Sequence, residues 1–138
     1  MRGFTLIELL IVIGIIGVLA TMVLMSIDPP DKLNAANDSK VQRDVNTLAR
    51  AMEAYAASHN SIYPTNGQAD LFAAGELKIE LTPPSGYNNY IVTVGPPALV
   101  SGELKSKKYI NEVPPKPAFV WCNTSDRAAA TVSQTTCP

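Results

Sequence analysis

The sequence predicts an α+β fold: a long N-terminal helix, apolar in its first half and amphipathic in its second, packed on a small antiparallel β-sheet. Three observations predict it. From Phe4 to Ile27 the chain reads FTLIELLIVIGIIGVLATMVLMSI, with Glu8 as its single charge. Further on, Val41, Val45, Leu48, Met52 and Tyr55 recur at spacings of four and three, which is one face of a helix. From residue 87 onward come short runs rich in aromatic and β-branched residues, separated by Gly and Pro.

The apolar run is the first element. At about 1.5 Å per residue a helix from Phe4 to Asp28 is roughly 37 Å long, enough to cross a hydrocarbon core of about 30 Å with some tilt. A secretory signal is a poor match, because the apolar run is too long and a carboxylate sits near its start. Glu8 has two readings. It is either a solvated residue at headgroup level or a functional carboxylate, since one deep in a span costs about 2.5–3.5 kcal/mol on insertion scales. Gly14 and Gly17 also have two readings. They allow close helix packing, or they soften the helix locally.

Asp28-Pro29-Pro30-Asp31 marks a break or kink. Asp28 can cap a helix that restarts at the prolines. The amphipathic helix then occupies residues 31–59 and ends near Ser58-His59-Asn60. Its apolar stripe reads as core packed on a sheet, and the repeat is too short for a coiled-coil seam. Ser61 to Thr65 is an extended exit, because the residue before Pro64 avoids the helical region.

Residues 66–86 connect. Ala69 to Leu77 reads as a short helix ended at Gly75, and Thr82 to Gly86 as a turn. Tyr87 to Val94, YNNYIVTV, is a strand stopped by Gly95-Pro96-Pro97. Leu104 to Pro117 reads as loop with one helical turn. Ala118 to Asn123 and Ala130 to Thr136 are two further strands joined by a polar turn.

Composition narrows the function. At 138 residues the chain supports one modest domain beside the anchor helix. Net charge is −1 and no basic stripe is present, so nucleic-acid binding has no electrostatic support. His59 is the only histidine, and it sits at a helix end, so no catalytic constellation is expected and the chain reads as a non-enzyme. There is no glycine-rich phosphate loop and no cofactor is expected. Glu103, Glu112 and Asp126 are too dispersed for a calcium site with several oxygen ligands, so no metal is expected. Asn37-Asp38-Ser39 and Asn123-Thr124-Ser125 match the glycosylation sequon, a match common by chance.

The residues also carry a resemblance. Gly3-Phe4-Thr5-Leu6-Ile7-Glu8-Leu9-Leu10, followed by a long apolar helix, resembles the processing site and helix start of type IV pilins and pseudopilins. The run from Asp44 to Thr65, DVNTLARAMEAYAASHNSIYPT, resembles the same family, with its Asp, its Leu, its aromatic and its closing Tyr-Pro. Leu104, Tyr109, Ile110 and Val113 resemble a loop common in these pilins.

The resemblance implies a type IV pilin-like fold with residues 1–3 as leader, 4–28 as transmembrane and filament-core helix, and 29–138 as a periplasmic or extracellular globular domain. It implies cleavage by a prepilin peptidase between Gly3 and Phe4, N-methylation of Phe4, and a role for Glu8 in assembly. The implied partners are membrane lipid before assembly, the peptidase and assembly machinery, and copies of the same chain in a homo-oligomeric helical fibre. The product is a prokaryotic surface pilus. The alternatives are a pseudopilin of a secretion or DNA-uptake machine and a single-pass anchored binding domain. Cys122 and Cys137 fall in the exported part, where disulfides persist, and there is no CxxC. Many pilins have a disulfide near the C-terminus, so the resemblance implies a Cys122–Cys137 bond.

Overall fold

The computed structural model describes residues 3–93, 95, 97–125 and 127–138. Met1 and Arg2 of the expected leader, Val94 at the end of the expected first strand, Pro96 of its stop and Asp126 lie outside the described residues. The chain divides into two units, Met1–Leu33 and Asn34–Pro138.

In the first unit, α1 spans Leu6–Ser26 and none of its residues is buried. It runs through Gly14 and Gly17 without a break. Thr5 caps its N-terminus in extended conformation and Ile27 caps its C-terminus. Asp28 follows at φ 47°, a left-handed backbone that Asp tolerates better than most residues. The next helix, α2, spans Pro29–Ser58. Prolines fit its first turn because the N–H groups they lack have no helical acceptor there. The Asp28 carbonyl accepts from the N–H groups of Asp31 (3.1 Å) and Lys32 (3.3 Å), which closes that turn. The helix therefore starts two residues before the expected boundary at Asp31.

The second unit is built on the rest of α2. Val41, Val45, Leu48 and Met52 are completely buried, in one core with Leu71, Val100, Leu104 and Trp121. Tyr55 packs at the margin of that core. A short helix, α3, covers Gln68–Ala73. It starts one residue before the expected 69–77, where the Asp70 carboxylate accepts from the N–H groups of Thr65 (2.8 Å) and Asn66 (2.9 Å), and it ends earlier, at Ala73. Gly75 at φ 79° then turns the chain out.

The sheet is an antiparallel meander in the order β1-β2-β3-β4. β1 is Ile91–Thr93, β2 Leu99–Glu103, β3 Ala118–Cys122 and β4 Arg127–Thr131. One turn of helix, α4 (Lys107–Ile110), lies between β2 and β3. Three strand assignments differ from expectation. The first strand does not begin at Tyr87, because Tyr87 turns its hydroxyl to Asp38 and the Asn88 N–H goes to Glu103 instead of a ladder. β2 is an unexpected strand. The last strand is not 130–136 but starts at Arg127 and ends at Thr131. Its alanines sit opposite large rings, Ala128 across from Trp121 and Ala130 across from Phe119.

Alternation along β3 sorts the two faces. Phe119 and Trp121 join the core shared with α2, whereas Ala118, Val120 and Cys122 form a second cluster with Leu99. Cys137 packs on that second cluster and is bonded to Cys122, with Cα atoms 5.6 Å apart. The C-terminal tail is thus fastened to the sheet face opposite α2.

Candidate functional site

The residues expected from the sequence to be functional lie at the N-terminus, and the first turn of α1 gives them a geometry. Thr5 Oγ1 accepts from the Glu8 N–H at 3.3 Å. In return Glu8 Oε2 accepts from the Thr5 N–H at 2.9 Å and from the Thr5 hydroxyl at 2.6 Å. This reciprocal capping box satisfies helix-start donors that have no partner inside the helix. It also puts a carboxylate where the helix dipole favours negative charge. Thr5 is a site residue that the motif reading missed. Its signal is T-x-x-E, with the two residues three apart.

The cap fixes where Gly3 and Phe4 stand. Both precede the helix, Phe4 is 74% exposed, and no atom crowds the position a Cβ would take at Gly3. The Gly3–Phe4 peptide bond is therefore in non-helical, accessible backbone. While Gly3 is attached, the Phe4 nitrogen is an amide and carries no charge. Phe4 and Glu8 are brought into one turn of the chain, but the carboxylate is held by Thr5.

Beyond Glu8 the helix presents Leu, Ile, Val and Met on all sides, each of them exposed. It is long and apolar enough to cross a membrane. A helix apolar all round is stable only in lipid or against other apolar helices.

In the second unit, carboxylates of α2 anchor the chain beyond it. Asp38, 1% exposed, accepts from the Tyr87 hydroxyl (2.8 Å), the Lys105 N–H (2.9 Å) and the Ser106 N–H (2.8 Å). Asp44, in the family-like run, accepts from the Tyr90 hydroxyl at 2.6 Å and pairs with Lys40 at 3.1 Å. Burial first, then the hydrogen bond and charge of the facing carboxylate, push both tyrosine hydroxyls above their ordinary pKa. Asp70 is shifted the other way: the Asn66 N–H and side chain, then Thr65, hold its carboxyl below the usual range. His59 stacks on Tyr55 with ring centroids 3.9 Å apart at the exposed end of α2. Among the described residues no group of three or more His, Cys, Asp or Glu is placed to hold a metal ion.

Residues 1–24 match the family model of the prokaryotic N-terminal methylation motif. Over 74 residues the chain is 40% identical to the type IV wide pilus major component PilA4 of Thermus thermophilus. That stretch covers 54% of this chain and 53% of PilA4, so the chain spans about half the length of the curated relative it matches. No solved structure matches the chain.

Proposed function

We propose that this chain belongs to the type IV pilin and pseudopilin family and is a structural subunit of a type IV pilus. One observation carries the reading: a 21-residue helix with no buried residue starts at Leu6, inside the stretch that matches the N-terminal methylation motif. Such a helix needs an apolar surrounding at every stage. Lipid supplies it before assembly, and the helices of neighbouring subunits supply it in the fibre.

In this reading the precursor is held in the membrane by α1, with Gly3–Phe4 presented outside the helix to a prepilin peptidase. Cleavage creates an α-amine on Phe4, which is then methylated. The subunit leaves the bilayer by exchanging lipid for neighbouring helices, and Glu8 sets how far each helix slides along the next. Asn34–Pro138 forms the surface of the fibre. The chain acts by assembly and not by catalysis.

Intact mass of the membrane or fibre protein tests the reading. The expected mass corresponds to a chain beginning at methylated Phe4. Assembled fibres that still contain Met1 would overturn the processing step. Electron microscopy of the cell surface separates a pilus from a short pseudopilus, and a processed chain found only as monomer would point to a membrane-anchored domain.

A further inference from the structure

Two exposed apolar patches on the second unit carry opposite charge. The first is the connection between β2 and β3, where Val113 is 94% exposed and stands beside Pro114 and Pro115. Between residues 103 and 117, Lys105, Lys107, Lys108 and Lys116 against Glu103 and Glu112 give four minus two, a net charge of +2, with Lys105 paired to Glu103 at 3.5 Å and Lys116 to Glu112 at 2.8 Å. The second patch is α3 with the loop after it. Phe72 is 57% and Ile79 68% exposed. Gln68, Ala69, Phe72 and Glu80 line a cavity of about 390 Å³ there. Between residues 68 and 81, Asp70, Glu76 and Glu80 against Lys78 give three minus one, a net charge of −2.

The patches lie on different parts of the unit. α3 sits beside β1, an edge of the sheet, where a Cβ on Gly67 would touch Val92 at 3.4 Å. The basic segment joins two interior strands and is tied to α2 through Asp38.

We propose that the Val113 loop of one copy docks into the α3 cavity of a second copy of this chain, with the loop's lysines facing Glu76 and Glu80. The inference rests on the pilus reading and adds a subunit contact outside the apolar helices. Charge complementarity selects the occupant. Pairing either patch with itself opposes like charges, which is strongly unfavourable. Pairing one with the other is attractive and buries apolar surface on both. Each copy then has one free knob and one free cavity, so the contact is heterologous. A heterologous contact that does not close into a ring continues as a helical filament.

The test uses fibres of the full chain. Val113→Cys and Ala69→Cys are introduced together and singly, fibres are oxidised, and the products are run on non-reducing gels. The expected result is a ladder of covalent multimers from the double variant and monomers from each single variant. Dimers from Val113→Cys alone would show self-pairing and overturn the proposal. Normal fibres of the double variant that remain monomeric would also overturn it and leave the pilus reading standing. If the double variant does not assemble, charge exchange decides. Glu80→Lys and Lys116→Glu are each expected to lower fibre yield roughly tenfold, and together to restore it. Single exchanges that assemble like wild type would overturn the contact. A wild-type chain that never forms fibres would overturn the pilus reading, and this contact falls with it.

Discussion

The Tyr87 hydroxyl donates to Asp38 Oδ1 at 2.8 Å across 49 residues of sequence. The same carboxylate takes the backbone N–H groups of Lys105 and Ser106. One buried side chain on α2 therefore holds two separate segments, the approach to β1 and the exit from β2. Asp38→Ala leaves two backbone donors without an acceptor, while the Tyr87 hydroxyl still reaches the Asn34 carbonyl at 3.3 Å. Unsatisfied buried donors cost about 1–3 kcal/mol each, so a loss of about 2 kcal/mol or more is expected. Denaturant unfolding of the detergent-solubilised chain measures it. Asp38→Asn should lose less, because its one oxygen can still accept. An Asp38→Ala chain as stable as wild type would remove Asp38 from this role.

Gly102 sets how closely α2 approaches the sheet. A Cβ there would lie 2.4 Å from Val41 Cγ1 and 3.2 Å from the Tyr90 ring. Gly102→Ala must push α2 outward or force Val41 off its rotamer, and overpacking of this kind costs about 1–3 kcal/mol. Val41→Ala removes the obstructing methyls. The double variant should therefore be more stable than the sum of the two single losses. A thermodynamic cycle reads the coupling, and strict additivity would show that the two positions do not compete.

The Cys122–Cys137 bond closes a loop of 15 positions. In the chain-entropy model such a loop contributes about 3 kcal/mol. Adding a thiol reductant should lower unfolding stability by about that amount, with the tail 132–138 released first. Thiol labelling of the denatured, unreduced chain should find no reactive cysteine, and two labels per chain would contradict the bond.

Local pattern made some of this legible and distance hid the rest. Val41, Val45, Leu48 and Met52 announce themselves because helical period is a local signal, and all four are core. β2 does not, because Ser101 and Gly102 are poor strand formers in sequence. Gly102 fits there because Val41 lies above it, 61 positions away by subtraction. β4 is hidden for a similar reason: three alanines carry little strand preference, and they fit because Trp121 and Phe119 lie opposite. Asp38 looks like one polar residue on a helix until its partners at 87, 105 and 106 arrive. At the N-terminus the signals are all local, so Gly3, Phe4 and Glu8 are legible by motif, and Thr5 by its spacing from Glu8.

Alkaline pH should weaken the second unit. Tyr87 and Tyr90 have their hydroxyl pKa raised above the ordinary 10.0, first by burial and then by Asp38 and Asp44. The folded chain therefore holds these protons more tightly than the unfolded chain. Their contribution is complete below pH 10.0 and is lost as pH climbs above it toward the raised folded values. Melting temperature followed together with tyrosinate absorbance should show unfolding and ionisation advancing as one transition. Tyr90→Phe should be less stable at neutral pH, because Asp44 loses a donor, and should show a shallower alkaline decline. Free ionisation of both hydroxyls in the folded chain near pH 10.0 would contradict the geometry.

Glu8→Gln separates the helix-capping role of this residue from its charge. With Gly3 attached, Thr5 already bonds Glu8 Oε2, and glutamine at the same position also closes a capping box. The start of α1 should therefore survive the substitution, and membrane insertion and cleavage should proceed normally. In the proposed processing, cleavage changes the surroundings of Glu8. Phe4 would then carry an α-amine that is mostly cationic at neutral pH, four residues before the carboxylate. A lone ammonium and a lone carboxylate are both poorly solvated among apolar helices, and pairing them removes much of that penalty. Pairing between chains also fixes the register of neighbouring helices, a known use of buried polar pairs. Glu8→Gln keeps the shape and removes the charge, so processed subunits should accumulate in the membrane while fibre yield falls sharply. Mass spectrometry of the membrane pool and electron microscopy of sheared fibres measure the two quantities. Wild-type fibre yield from Glu8→Gln would reduce Glu8 to a helix-capping residue with no part in assembly.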